Sequence, residues 1–443
     1  MKKFSLIFLG CPKNQVDCEK IIYSFLKRGY FITIDLKKSD IVILTTCAFI
    51  KKGVKECEKW IKKLINLKKR KIIKKIIVFG CLVEREKEKL VERYPEVDYF
   101  IGLGGLNKMF SLIKKKEKYY LSPNKQILIK TLPRIIVTPY AYVKIAEGCN
   151  NYCSYCLIPK IRGRYQSREI EEIKKEVKEL VDLGIKEIIL IAQDTTFYGA
   201  DIYNKPSLAK LLKELVKIRN LEWLRILYTH PAHYDDELIS LIRNEEKIVK
   251  YLDIPIQHIS DKILRLMNRP YTKKDLIKLL EKIRKIPNLV LRTTVMVGFP
   301  HEEEKDFLEL LSFIKDFKFE YLGCFIYSPE PNTSAYELET QINEKIKKER
   351  YQKIMETQQR ITFDFLDSLI NKKFKVLVEN HNFGRAYFQA PEIDGNIILE
   401  NNNIKIGEFS ECEIFKRKGY DLVGRIFSRK NYRRAKNSSR NFQ

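Results

Sequence analysis

The sequence predicts an α/β chain in three parts: an N-terminal doubly wound parallel sheet, a central partial (β/α)6 barrel and a small C-terminal antiparallel β-barrel. Three observations predict it. Short continuous apolar runs alternate with amphipathic helical patterns over about residues 1–115, as in strands buried on both faces of a parallel sheet. Six further strand–helix repeats occupy about residues 135–365. Over residues 372–427 short strands are punctuated by turns at Gly384, Asp394-Gly395 and Gly407.

In the first part Phe4–Leu9, Ile41–Thr45 and Ile76–Phe79 read as strands, and Gln15–Lys27, Val54–Leu67 and Arg85–Arg93 as helices. Cys11, Cys47 and Cys81 each follow one of these strands closely. Parallel strands share a carboxyl edge, where such sheets place ligands. The three cysteines are therefore expected to converge on one site with an open fourth position. Cys18 and Cys57 fall inside helical patterns and read as packing residues. The weakly patterned stretch Ser122–Pro139, with Pro123, Pro133 and Pro139, reads as a linker.

In the second part the strands read as Tyr142–Ala146, Glu187–Ala192, Trp223–Tyr228, Tyr251–Ile254, Leu291–Met296 and Tyr321–Tyr327. The helices between them include Glu169–Leu183, Leu208–Ile218, Lys273–Ile283 and Glu303–Phe317. Directly after the first strand comes Cys149-Asn-Asn-Tyr-Cys153-Ser-Tyr-Cys156, three cysteines with no fourth thiol or histidine nearby. A structural zinc site takes four ligands. A disulfide framework does not suit a large chain without an export signal. Thiolates are the usual ligands of iron–sulfur clusters, and three of them on a four-iron cube leave one iron open. Gln193-Asp194-Thr195 with Tyr198-Gly199, the run Asp253–His258, and Gly298-Phe299-Pro300 end later strands and outline a cavity for a polar cofactor. Arg162-Gly163-Arg164 and Arg168 read as anion-binding or helix-capping groups. His230-Pro-Ala-His233 reads as a loop, because proline breaks a helical pairing of the two histidines. Cys324 reads as core.

The chain has 443 residues, 44% of them hydrophobic, enough for more than one core. The net charge of +27 fits either a polyanionic neighbourhood or lysines spread over solvated helices. No run approaches the roughly 18 apolar residues of a membrane span. Lys2-Lys3 precedes an apolar run too short for a signal core. A cytoplasmic protein with reduced cysteines and no membrane partner is expected. From Phe374 to Ile414 three basic residues face seven acidic ones. Such a barrel is expected to repel phosphate and suit a basic protein substrate. Residues 428–443 form a basic tail, read as solvated.

These motifs carry a family resemblance. Cys149–Cys156, with Tyr155 before the last cysteine, resembles the cluster loop of the radical SAM enzymes. Leu9-Gly10-Cys11-Pro12-Lys13-Asn14 with Asp17 and Glu19, Thr46-Cys47-Ala48-Phe49, and Gly80-Cys81 resemble the N-terminal domain of the methylthiotransferases. Cys-Pro-Lys-Asn resembles the RimO branch, which modifies a ribosomal protein; the tRNA-modifying MiaB branch usually shows Cys-Gln-Met-Asn there. Gln193–Gly199, Leu252–His258 and Tyr327-Ser328-Pro329 also resemble RimO. Gln15, Cys18 and His301 stand where the pattern has leucine, serine and glycine. Gly384-Arg385 with Ala390–Gly395 resembles a TRAM domain.

The resemblance implies two 4Fe-4S clusters and S-adenosylmethionine (SAM). Cys149, Cys153 and Cys156 would hold the cluster that cleaves SAM to a 5′-deoxyadenosyl radical. Cys11, Cys47 and Cys81 would hold an auxiliary cluster carrying the sulfur, and Tyr155, Gln193, Asp194 and Gly298 would contact SAM. The implied reaction adds a methylthio group to the β-carbon of an aspartate in ribosomal small-subunit protein twelve, free or in the assembled ribosome. Two other readings stay open from the sequence: a MiaB-like tRNA methylthiotransferase, and a non-catalytic iron–sulfur protein that binds RNA or ribosomes.

Overall fold

The computed structural model describes residues 2–115, 117–121, 134–400 and 405–426. Most of the expected linker and the whole basic tail lie outside the described residues.

The first sheet contains β1 (Lys3–Ile7), β2 (Phe31–Ile32), β3 (Ile41–Thr46), β4 (Lys75–Gly80), β5 (Tyr99–Ile101) and β6 (Tyr119–Tyr120). Every pair is parallel, in the order β2-β1-β3-β4-β5-β6. All six residues of β3 are buried, four branched apolar side chains followed by Thr45 and Thr46. The helices of this part are α1 (Pro12–Leu26), α2 (Lys51–Lys69), α3 (Cys81–Glu86), α4 (Glu88–Arg93) and α5 (Met109–Lys115). The single helix expected at Arg85–Arg93 is in fact two, because Lys87 takes φ 53° and ends one before the next begins. Strands as short as β2 and β6 carry no periodicity and were not legible in the sequence.

The second sheet contains β7 (Tyr140–Lys144) and, after a two-stranded ribbon of β8 (Ala146–Glu147) and β9 (Gln166–Ser167), the strands β10 (Glu187–Ile191), β11 (Trp223–Ile226), β12 (Ile248–Asp253), β13 (Val290–Val297) and β14 (Tyr321–Ile326). It runs β14-β13-β12-β11-β10-β7, parallel throughout. The helices are α6 (Ile158–Arg162), α7 (Ile170–Asp182), α8 (Leu208–Leu215), α9 (Asp236–Asn244), α10 (Asp261–Leu266), α11 (Lys273–Arg284), α12 (Glu304–Phe317) and α13 (Glu344–Asp367). Alternation along the strands divides their side chains. Ala141, Val143, Ile188, Leu190, Leu224 and Ile226 join the core with the helices, including Ile173, Val177 and Leu180 of α7. Tyr140, Tyr142, Ile189, Ile191, Trp223 and Tyr251 belong to a separate cluster on the other face.

That second cluster is shared with the C-terminal barrel. Its strands are β15 (Lys373–Val378), β16 (Phe383–Ala386), β17 (Ile397–Glu400), β18 (Phe409–Lys418) and β19 (Asp421–Ile426). They close in the order β15-β16-β17-β19-β18, antiparallel except for β17 with β19. The barrel covers the amino ends of the central strands, for Tyr140, Trp223, Val290 and Tyr321 each open a strand and pack with Val376, Phe388 and Ala390.

This seam takes up much of the expected acidic face. Asp394 is 1% exposed at its side chain; it takes Arg292 at 2.8 Å and the Tyr251 hydroxyl at 2.7 Å. Glu392 accepts from the Tyr140 hydroxyl at 2.9 Å. Glu379 and Glu187 share the buried Arg385. Of the exposed carboxylates, Glu411, Glu408 and Glu400 lie 3.7, 3.5 and 3.9 Å from Lys373, Lys405 and Arg425. Lys373 and Arg425 lie outside the window whose charge was counted, and Arg292 lies in the central sheet. The excess of carboxylates is therefore spent largely on pairing.

Candidate active site

The first cysteine trio is stitched together by two side chains. Adjacent strands β1, β3 and β4 bring Cys11, Cys47 and Cys81 to one carboxyl edge. Asn14 in the first turn of α1 donates to the carbonyls of Leu9 (3.3 Å) and Thr46 (3.1 Å). Thr46 donates its hydroxyl to the Phe79 carbonyl at 2.8 Å and accepts from the Leu82 N–H at 3.2 Å. The turns that carry the three thiols are thus mutually held. Gly80 makes the last one possible: it sits at φ 110°, and a Cβ there would lie 3.2 Å from the Thr46 carbonyl oxygen.

Burial pushes the Cys81 thiol up to about 12 and raises Cys47, and the neighbouring thiols add to the rise. Burial acts on Cys11 in the same sense, but Lys13 and Arg162 outweigh it and its pKa falls below the ordinary value. Arg162, the last residue of α6, donates to Cys81 Sγ at 3.2 Å, Asn14 at 2.7 Å and Glu147 at 2.6 Å. Glu147 in turn accepts from Lys144 (3.2 Å) and Gln193 (2.5 Å), and Lys144 reaches Asp17 of α1 at 2.7 Å. This buried chain of charges joins the first sheet to the carboxyl ends of β7 and β10. The sequence marked Arg162 only as an anion-binding or helix-capping group.

The second trio lies in the loop after β8. Gly148 precedes it at φ 80°, and a Cβ there would lie 2.1 Å from the Arg164 carbonyl oxygen, so only glycine lets the ribbon deliver Cys149. The loop is pinned on several sides. Cys149 N–H donates to the Gly163 carbonyl (3.2 Å), Ser154 N–H to Met267 (3.1 Å) and Asn268 to the Tyr152 carbonyl (2.9 Å). Arg269 donates to Cys153 Sγ at 3.3 Å, a contact with no sequence signal. Burial pushes Cys149 up to about 12 and Cys156 higher still. Such thiols are poor thiolates unless a cation takes the charge.

The expected SAM contacts fall in two places. Gln193 and Asp194 follow β10 beside Cys149. The Gln193 amide nitrogen holds Glu147, while its Oε1 is buried with no hydrogen-bond partner among the described residues. The Asp194 carboxylate is already engaged by Asn151 (2.8 Å), His233 (2.8 Å) and Thr196 (2.7 Å). Burial raises it, but the two histidines and Asn151 hold it down to about 2. Its visible task is to fix the cysteine loop. Gly298 follows β13 with the Lys347 side chain against it. Tyr155 packs with Phe299, ring centroids 6.4 Å apart, in a small apolar cluster. His301 stands at φ 64°, the backbone region that explains a glycine in the family pattern.

Among the described residues, Asp194, His230 and His233 bring three donor atoms within 4.8 Å of one another. The histidine pair sits on a short 3-10 turn with its rings stacked. His230 Nδ1 accepts the Ala232 N–H at 3.3 Å, which puts the proton on Nε2, and that atom is buried without a partner among the described residues.

Family models match the chain in order: the Uncharacterized protein family UPF0004 over residues 3–102, the Radical SAM superfamily over 143–314 and the TRAM domain over 370–427. A Clostridium botulinum protein named Ribosomal protein uS12 methylthiotransferase RimO is 44% identical over 435 residues, spanning 95% of this chain and 97% of that one. The chain belongs to the RimO family of radical SAM methylthiotransferases. A RimO of Dictyoglomus thermophilum is 45% identical over 440 residues, 96% of this chain and all of its own. The fold is also that of the radical S-adenosylmethionine methyltransferase TsrM from Kitasatospora setae, whose structure holds cobalamin and a 4Fe-4S cluster. The TM-score is 0.57 at 15% identity over 76% of this chain and 77% of that one, a likeness of fold alone. As a RimO family member the chain is an iron–sulfur enzyme that uses SAM. Among the described residues no helix is long and apolar enough to cross a membrane.

Proposed function

We propose that this chain adds a methylthio group to the β-carbon of an aspartate in ribosomal protein uS12, working in the cytoplasm. The observation that carries the reading is the pair of cysteine trios at the two sides of one seam, in a chain whose full-length relatives bear that name. In this reading residues 1–115, 135–365 and 372–427 are three domains, followed by the tail at 428–443.

Cys149, Cys153 and Cys156 would hold one 4Fe-4S cluster, and Cys11, Cys47 and Cys81 a second. With SAM they supply a radical able to take hydrogen from an unactivated C–H bond, and the sulfur to be transferred. The chain's own residues hold and shield them. Arg162 and Arg269 each place a buried guanidinium on a cysteine sulfur and offset thiolate charge in a dry site. The Asp17–Lys144–Glu147–Arg162 chain holds the two trios in fixed relation, since one member touches Cys81 and another precedes Cys149 closely. Gln193 offers its free Oε1, and Tyr155 and Gly298 its far wall, to a polar cofactor.

Protein is favoured over tRNA by the names of the relatives and by Cys11-Pro12-Lys13-Asn14. Anaerobically reconstituted protein is expected to bind about eight irons, and the Cys149/Cys153/Cys156→Ala variant about half as many. Mass spectrometry of uS12 and of total tRNA from a deletion strain decides the substrate. Loss of the methylthio group from uS12 alone is expected, and loss from tRNA alone would overturn the reading.

A further inference from the structure

We propose that Lys13 receives the carboxylate of the substrate's acidic side chain, and so sets the choice of an aspartate as the residue modified. The inference rests on the uS12 reading above and deepens it.

Lys13 is 7% exposed. Its ammonium lies 3.4 Å from the centroid of the Tyr228 ring and, among the described residues, has no carboxylate within ion-pair distance and no hydrogen-bond acceptor. Lys144, equally buried nearby, has both Asp17 and Glu147. An ammonium without a counter-charge is costly to bury, and a ring face offsets only part of that cost. Arg162 and the helix end add positive potential there, while the Cys11 thiol, Glu147 and Asp253 attract the ammonium from beyond ion-pair distance. Lys13 is the second residue of α1, a helix of 15 residues with no acidic side chain in its first turn and no side-chain cap. The nearby thiol of Cys81 is already engaged by Arg162.

Its place makes the missing anion identifiable by chemistry. Lys13 follows Cys11 by two residues, on the sulfur side of the seam. Tyr228 lies just past β11 on the barrel side, and its N–H donates at 3.0 Å to Asp253 at the end of β12. Asp253 is turned to that N–H and forms no bond to Lys13. The ammonium therefore stands between the first thiol trio and the mouth of the central barrel, where a carbon bound for methylthiolation must come. The β-carbon of an aspartate carries its carboxylate directly, so a cation at this seam grips the group next to the reacting atom.

The test is a binding cycle with cluster-loaded, oxidised protein plus SAM and no reductant, so that nothing turns over. The probes are uS12 and uS12 with the modified aspartate changed to asparagine. That change is expected to weaken binding to the wild type about 30-fold or more, and to Lys13→Met less than about threefold. Lys13→Arg should keep most of the discrimination. Iron content near that of the wild type shows that Lys13→Met is folded and loaded; if it is not, Lys13→Gln takes its place in the cycle. Equal weakening in wild type and variant would overturn the proposal. So would unchanged uS12 binding by Lys13→Met together with an altered electron paramagnetic resonance signal of the first trio's cluster, since the ammonium would then balance the cluster. Wild type that binds tRNA but not uS12 would instead remove the underlying reading.

Discussion

The two ends of the central barrel handle buried charge in opposite ways. At the amino end, under the C-terminal barrel, the carboxylates are met by guanidiniums, and the groups left over among the described residues are Arg225 Nη2 and the Tyr142 and Tyr321 hydroxyls. Glu187 is fully buried between Arg225 and Arg385, each at 2.6 Å, and the two guanidiniums hold its carboxyl below the ordinary range against the push of burial. Asp394 is likewise shared by Arg292 and Tyr251. At the carboxyl end the polar groups are only partly matched. Among the described residues Lys13 has a ring face and no ion pair, Gln193 Oε1 has no donor, and His230 Nε2 has no acceptor. A seam with its charges paired is one built to stay shut, because opening it strands them in low dielectric. Groups left over at the other end are those a cofactor or substrate can complete.

The largest expected effect breaks the carboxyl end in half. Cys47→Ala is expected to abolish methylthio product, since it removes one of the three thiols on the first edge. Reductive cleavage of SAM should persist, because the loop of Cys149 to Cys156 is held by other contacts. Product formed at the wild-type rate would remove the first trio from the mechanism.

A smaller effect is expected at the amino end, and on stability rather than chemistry. Arg385→Ala strands Glu379 and leaves Glu187 with Arg225 alone, and loss of one partner from a buried ion pair costs about 3–5 kcal/mol. Anaerobic denaturant unfolding of the loaded protein reads it. A loss below about 1 kcal/mol would mean that water enters the seam and that the two ends differ less than the geometry shows.

The smallest effect separates surface from seam. Glu411→Lys, at a half-exposed site, should change stability by no more than about 0.5 kcal/mol and leave uS12 binding unchanged even at low salt. Asp394→Lys should instead destabilise strongly, because it meets Arg292 in a buried site. If Glu411→Lys weakens uS12 binding at low salt, the expected acidic docking face exists after all.

The sequence by itself determined what short-range pattern carries. The apolar runs that became β1, β3 and β4, the repeating strands of the central sheet and the spacing of Cys149, Cys153 and Cys156 are all local, and the family resemblance rested on the same short stretches. Placing Cys11, Cys47 and Cys81 on one edge needed only the added rule that parallel strands point the same way. What surrounds those cysteines was decided by tertiary structure alone. Arg162 meets Asn14 across 148 positions of sequence, Arg269 meets Cys153 across 116, and Asp394 meets Arg292 across 102. A charge count over one segment cannot see such partners, which is why the acidic barrel read as a docking face and turned out to be largely a set of pairs. Lys13 was visible in the sequence only as the mark of a branch. Its burial, and its want of an ion pair among the described residues, arise from two sheets closing on each other, because whether a charge is solvated, paired or left over depends on what packs against it from far along the chain.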